Sequence, residues 1–122
     1  MSDLTMLLGI HDALWSESLT DNFEAMGYTI NSASSVEEML SYLGQRNYSG
    51  VMMDLNFGRP GSPFIAPAVR IDEAIRQAKA GTKLLGTSEK PEALAAAKEA
   101  GITAIRKTEI TRARLVEFFT QS

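Results

Sequence analysis

Short apolar runs alternate with stretches of helical periodicity along the whole chain, and this alternation constrains the fold more than any other feature. The runs that predict strands cover residues 4–10, 28–32, 51–55, 83–87 and 102–107. A helical pattern follows each of them after a short connection. A strand followed by a helix, repeated five times, predicts a parallel sheet with helices packed on both faces. We therefore expect residues 1–122 to form one α/β domain with a five-stranded, doubly wound sheet.

The first helix shows how the pattern defines an element. Asp12 directly follows the first strand and can cap the helix, because its carboxylate can accept hydrogen bonds from the amides of the first turn. Gly27 suits a left-handed residue just after the helix. Between them, one apolar stripe has helical spacing, and its members are Trp15, Leu19, Phe23 and Met26.

The other helix boundaries carry similar signals. Ser35 and Glu38 match a capping box at the start of the second helix. Pro67 suits the first position of the third helix, which we expect to run as far as Gly81. Thr111 is expected to cap the fifth helix.

Composition excludes several kinds of site. The chain has no cysteine and one histidine, His11, which excludes disulfides, thiolate metal sites and multi-histidine metal sites. Its net charge of -3 argues against nucleic-acid binding, which needs a basic surface. No apolar run has the length of a membrane span, and no signal-peptide pattern occurs at the N-terminus. The default expectation is a cytoplasmic protein.

Polar residues stand where four of the predicted strands end. Asp12 follows the first strand, Asp54 and Thr87 end the third and fourth, and Lys107 ends the fifth. The carboxyl ends of parallel strands lie at one edge of the sheet, where ligands collect. Two carboxylates there make an oxygen site for Mg²⁺, and an aspartate can attack phosphorus to form an acyl phosphate. A lysine and a threonine can stabilise the charge of the transferred group.

The sequence resembles the receiver domains of bacterial two-component response regulators over essentially its whole length. The resemblance is carried by Asp-Leu-Asn at residues 54–56, Gly-Thr-Ser at 86–88 and Ile-Arg-Lys at 105–107. It implies a flavodoxin-like fold and a function in signalling. The domain would not be an enzyme and would at most assist its own phosphorylation. A sensor histidine kinase or phosphotransfer protein would be the donor and a downstream protein the partner, and the domain could dimerise.

The resemblance also implies a role for each site residue. Asp54 would accept the phosphoryl group from a phosphohistidine. Mg²⁺ would be held by Asp54, Asp12 and the backbone carbonyl of Asn56. Thr87 would bind the new phosphate, and Lys107 would pair with it.

Among the departures from the family pattern, the missing acids and the missing aromatic residue favour an alternative function, whereas the retained Asp54, Thr87 and Lys107 favour the phosphorelay receiver. The family usually has two or three consecutive acids after the first strand, whereas this chain reads Gly-Ile-His-Asp at 9–12, so at most one acid is retained. Ala104 replaces an aromatic residue and Thr108 a proline. We expect weak binding of Mg²⁺, and the alternative is a pseudo-receiver, an interaction module that phosphorylation does not regulate.

Each site residue also has a purely structural interpretation. Asp54 could cap the loop that follows it, and Asp12 and Thr87 could cap helices. His11 could modify the site as a nitrogen ligand or proton-sensitive group, or could simply be hydrogen-bonded or solvated. Lys107 could be a solvent-facing charge at a strand end.

Overall fold

A computed structural model describes residues 4–120 as five parallel strands that alternate with five α-helices. The strands lie in the order β2-β1-β3-β4-β5, as a doubly wound sheet requires. They are β1 (Thr5–Gly9), β2 (Thr29–Ser32), β3 (Gly50–Asp54), β4 (Lys83–Ser88) and β5 (Ala104–Arg106). The helices are α1 (Ala13–Ala25), α2 (Val36–Gln45), α3 (Ala66–Ala78), α4 (Pro91–Glu99) and α5 (Arg112–Thr120).

The central strands β1 and β3 are buried along their whole length. Successive side chains of a strand point to opposite faces of the sheet, so each strand contributes to two separate cores. Leu7 and Val51 pack on one face with residues of α2, α3 and α4. Met6 and Met52 pack on the other face with residues of α1 and α5. This two-sided burial explains why the strands read as continuous apolar runs.

Helix caps largely follow the sequence signals. The Asp12 carboxylate accepts hydrogen bonds at the start of α1, and Gly27, after its end, has φ +96°. The Ser35 hydroxyl accepts from the Glu38 amide at 3.0 Å, whereas the Glu38 carboxylate accepts from Ser34 rather than from Ser35. Within residues 4–120, none of the helices combines the length and apolar character that crossing a bilayer requires.

Two predicted boundaries were wrong. Helix α3 ends at Ala78 rather than near Gly81, because Lys79 adopts a left-handed conformation (φ 53°) and its amide bonds back to the last turn. The fifth strand ends at Arg106, and Lys107 begins a 3₁₀ turn that runs to Glu109. Strand β5 pairs with β4 through only three residues, so the hydrogen-bonded ladder stops before the lysine.

Strand register places the polar residues at one edge of the sheet. Asp54 is the last residue of β3 and lies opposite Thr87 of β4, which in turn lies opposite Ile105 of β5. Residues opposite each other in neighbouring strands present their side chains on the same face. The sheet therefore brings the predicted site residues to one place.

Candidate functional site

Asp54 lies at the centre of the site, and its side chain is almost completely buried, with 1% exposed. A buried carboxylate is stable only if hydrogen bonds or opposite charges compensate for its lost hydration. Here the compensation is unequal between the two carboxylate oxygens. Oδ2 faces the end of β1, and Oδ1 faces the 3₁₀ turn after β5.

His11 contacts Oδ2 of Asp54 twice. Its backbone amide donates to Oδ2 at 2.7 Å, and its ring atom Nδ1 lies 3.1 Å from the same oxygen. The opposite ring atom, Nε2, accepts a hydrogen bond from the backbone amide of Gly58 at 2.8 Å. We call these three contacts the His11 clamp, since they join the end of β1, the end of β3 and the loop after it.

The clamp determines which ring nitrogen of His11 carries the proton. The Gly58 amide can only donate, so Nε2 must present its lone pair. The proton of a neutral imidazole is then on Nδ1, which faces Oδ2 of Asp54 at 3.1 Å. Gly58 meets the ring with φ +89°, a conformation that side chains other than glycine rarely adopt.

Lys107 lies on the other side of Asp54. Its Nζ is 3.3 Å from Oδ1, an ion pair whose angle does not satisfy a hydrogen bond. The same ammonium lies 4.9 Å from the centre of the Trp15 ring, which attracts it by a cation–π interaction. An open cleft of about 350 Å³ adjoins this contact. Lys107 therefore separates Asp54 from the cleft, with Trp15 as its second neighbour.

Two buried polar atoms have no hydrogen-bond partner within residues 4–120: Oδ1 of Asp54 and Oγ1 of Thr87. We call them the open atoms. Buried polar oxygens are nearly always paired in native proteins, and leaving one with no polar neighbour costs about 1–3 kcal/mol. Oδ1 of Asp54 has the Lys107 ammonium at 3.3 Å, so this cost applies mainly to Oγ1 of Thr87. Such atoms are rare in native proteins, so these two at neighbouring strands are candidate contacts for a polar ligand.

Asp12 and Asn56 are engaged in local structure. Oδ1 of Asp12 accepts from the amides of Leu14 and Trp15 at 2.9 and 3.2 Å, which confirms its prediction as the cap of α1. The carbonyl of Asn56 accepts from the Arg59 amide at 2.8 Å inside the loop after β3. Their assignment as metal ligands stays a prediction.

The residues at this edge do not fit Mg²⁺ well. Magnesium requires near-octahedral coordination by oxygen and binds through carboxylates. Here two N–H groups of His11 and the Lys107 ammonium surround the Asp54 carboxylate. In the part of the chain that the structure describes, no three histidine or acidic side chains are grouped so that they could hold a metal ion. A cation would therefore have to displace a hydrogen-bond donor or the ammonium from Asp54.

Two features of the site were not found from the sequence. Trp15 was assigned to an apolar stripe, yet its ring also lies against Lys107. Gly58 lies in the loop after β3, and no sequence signal indicated that its amide would reach His11. His11 itself is hydrogen-bonded, as its structural interpretation predicted.

A scan against protein-family models finds no match, and a search of curated proteins finds none either. Solved structures, in contrast, share the fold over nearly the whole chain. A response regulator receiver protein from Sinorhizobium medicae matches with a TM-score of 0.78 at 17% identity, over 98% of this chain and 94% of that chain. The signal receiver domain of an HD domain-containing protein from Pseudomonas fluorescens gives 0.76 at 18% identity, over 98% and 94%.

A third similar structure is the receiver domain of a sensor histidine kinase from Pseudomonas aeruginosa. It matches with a TM-score of 0.73 at 14% identity, over 98% of this chain and all of that chain (100%), and it has a magnesium ion coordinated in its active-site cleft. These similarities confirm the flavodoxin-like receiver fold predicted from the sequence.

Proposed function

We propose that this domain is a phosphorelay receiver, in which Asp54 accepts a phosphoryl group and thereby changes the partner that the domain binds. The observation that carries the proposal is the pair of open atoms on opposite residues of β3 and β4, Oδ1 of Asp54 and Oγ1 of Thr87, with the ammonium of Lys107 at 3.3 Å from Oδ1. The similarity to receiver domains supports the same function.

The chemistry follows from the unequal surroundings of the carboxylate. Oδ1 attacks the phosphorus atom of a phosphohistidine, and the phosphorus–nitrogen bond breaks as the new phosphorus–oxygen bond forms. The electron pair of the broken bond returns to the donor imidazole, and Asp54 becomes an acyl phosphate. Lys107 is placed to balance the charge of the phosphoryl oxygens, and the Thr87 hydroxyl to donate to one of them.

Access to Oδ1 requires a movement, because Asp54 is buried. Lys107 lies between Oδ1 and the cleft, and 29% of its side chain is exposed. We propose that Lys107 shifts toward the cleft as the phosphoryl group enters, and that the changed contacts of Thr87 and Lys107 are transmitted to the surface near α4 and the 3₁₀ turn.

Partners and setting follow from this proposal. The donor would be a sensor histidine kinase or a phosphotransfer protein in the cytoplasm, and the output a change in binding to a downstream protein or a second copy of this chain. We propose no turnover of a separate substrate. The Mg²⁺ that receiver domains use is the part that this site supports least, so no step above depends on it.

One observation favours a second candidate, the pseudo-receiver that phosphorylation does not regulate. The His11 clamp satisfies one oxygen of Asp54 with two N–H groups and attaches the following loop. A carboxylate held in this way can serve as a structural group that fixes the loop in one conformation.

The two candidates are separated by treating the protein with acetyl phosphate, and separately with beryllofluoride, with and without Mg²⁺. The matched control is Asp54→Asn, which keeps the shape of the side chain and removes the nucleophile. We expect wild type to gain the mass of one phosphoryl group and to change its Trp15 fluorescence, and Asp54→Asn to do neither. If wild type responds to neither reagent in mass, fluorescence or oligomeric state, the pseudo-receiver is supported instead.

A further inference from the structure

We infer that His11 takes the place of a divalent cation at Asp54, so that the site is organised without Mg²⁺. The inference concerns the same carboxylate as the proposed function but does not depend on phosphorylation. It holds whether the domain is a phosphorelay receiver or a pseudo-receiver.

Oδ2 of Asp54 is already occupied by His11. The His11 amide at 2.7 Å and Nδ1 at 3.1 Å approach this oxygen from the end of β1. The amide donates a hydrogen bond to Oδ2, and the N–H group at Nδ1 carries a partial positive charge toward the carboxylate. They therefore stabilise the negative charge as a bound cation would, and a cation added beside them would meet repulsion and lack its oxygen ligands.

The His11 clamp also holds separate segments of the chain together, as a bound metal ion would. A metal ion joins ligands from separate segments, and here the imidazole ring joins Asp54 of β3 to Gly58 of the following loop. The ring also lies 5.3 Å from the ring of Phe57, which is buried, so its orientation is restricted by packing as well. His11 is in this sense a positioning residue, since it orients Oδ2 and leaves Oδ1 toward Lys107 and Thr87.

Catalysis by His11 is a weaker interpretation of the same contacts. A histidine bound to a buried aspartate through Nδ1 acts as a general base when Nε2 is available to a substrate. Here Nε2 accepts from the Gly58 amide at 2.8 Å, so its lone pair is already used. The ring therefore has a donor role toward Asp54 and an acceptor role toward the loop.

Magnesium titration of the chain of residues 1–122, without any phosphoryl donor, tests the inference. Trp15 is the single tryptophan of the chain, and its ring contacts the Lys107 ammonium that pairs with Asp54, so its fluorescence reports a cation arriving there. Magnesium chloride is the probe, and sodium chloride of equal ionic strength corrects for screening.

Three variants at position 11 separate the possible outcomes. His11→Asp supplies a carboxylate, and we expect it to bind Mg²⁺ at least about tenfold more tightly than wild type, as an added acidic ligand should. His11→Asn keeps an N–H donor near the position of Nδ1 and should behave as wild type does. His11→Ala removes the ring, and its affinity should lie between those of wild type and His11→Asp.

Two results would overturn the inference. One is wild type binding Mg²⁺ as tightly as His11→Asp. The other is equal absence of binding in wild type, His11→Ala and His11→Asp, since His11 would then not be what excludes the cation. Failure of the phosphorylation experiment above affects neither result, because no phosphoryl donor is present here.

A second measurement needs no variant and covers the case in which His11→Asp does not fold. The ¹⁵N chemical shifts of the His11 ring in wild type should show a protonated Nδ1 and an unprotonated Nε2. A protonated Nε2 at neutral pH is incompatible with the Gly58 contact and would also overturn the inference. A histidine that is only packed against the surface has no reason to prefer the Nδ1–H form.

Discussion

The two oxygens of the Asp54 carboxylate have opposite surroundings, although they lie about 2 Å apart by ordinary covalent geometry. Oδ2 receives two N–H groups from His11, which is itself attached to the loop after β3. Oδ1 faces a lysine ammonium without a hydrogen bond, and its residue lies opposite Thr87, whose hydroxyl oxygen is the other open atom. Oδ2 is therefore held by the end of β1, whereas Oδ1 has only the charge of Lys107 opposite it.

Among the substitutions proposed here, removal of Lys107 should lower the free energy of unfolding the most. Lys107→Met keeps much of the side-chain length but leaves Oδ1 without its opposite charge. Breaking a buried ion pair costs about 3–5 kcal/mol, and partial exposure of Lys107 together with the remaining His11 donors should reduce this to about 2 kcal/mol. Urea denaturation of wild type and variant measures the free energy of unfolding.

The matched control for Lys107→Met is the same substitution in the Asp54→Asn background. The lysine has no charge to pair with there, so the substitution should cost much less, and the difference is the coupling energy of the pair. An equal cost in both backgrounds would mean that Lys107 stabilises the fold through Trp15 and not through Asp54.

Substitution of Asp12 tests whether its carboxylate acts only as the cap of α1. Asp12→Ala should reduce the free energy of unfolding by about 1 kcal/mol, since it removes the acceptor for the amides of Leu14 and Trp15. Asp12→Asn should reduce the free energy of unfolding by only about 0.3 kcal/mol, because asparagine caps helices as well as aspartate does. Thermal or urea unfolding checks both variants, and an equally large loss in the two would show that the charge matters beyond capping.

Thr87 should give the smallest effect, with the opposite sign. Thr87→Val replaces the hydroxyl by a methyl group of similar size, so a buried oxygen that has no partner among residues 4–120 disappears. We expect the free energy of unfolding to rise by up to about 1 kcal/mol. Thr87→Ser keeps the hydroxyl and loses the methyl group, and should be less stable than wild type.

Urea unfolding of the two Thr87 variants measures whether the Thr87 hydroxyl stabilises the free protein. If Thr87→Val is instead less stable than wild type by about 1 kcal/mol or more, the hydroxyl is satisfied in the free protein and is not an open atom. If Thr87→Val is more stable than wild type but its Trp15 fluorescence no longer changes with beryllofluoride, the Thr87 hydroxyl serves function at the expense of stability.

Much of the site could be predicted from the sequence because it depends on topology. Strand–helix alternation fixes a parallel sheet, a parallel sheet brings strand ends to one edge, and Asp54 and Thr87 therefore lie opposite each other. Their assignment needed no knowledge of side-chain contacts. The doubly wound sheet followed from the same pattern, whereas the receiver fold was implied by the resemblance at residues 54–56, 86–88 and 105–107.

The His11 clamp could not be predicted because it depends on how the chain leaves β1. A change of one residue in that turn decides whether His11 or Asp12 faces the carboxylate of Asp54. The cap of α1 fixes the choice, since Asp12 is held by the first-turn amides and His11 is left beside Asp54. Similarly, the position of Lys107 depends on where the β4–β5 ladder stops, which hydrophobic patterning does not determine.

The shortness of β5 has a consequence for local unfolding. A ladder of three residues at the edge of a sheet opens at a lower free energy than the central strands do, because few hydrogen bonds and buried contacts are lost. Lys107 directly follows this ladder, whereas His11 follows β1, which is paired on both sides. Brief opening of the edge would thus carry the ammonium away from Asp54 while the imidazole stays in place, and amide exchange should be faster in β5 than in β1.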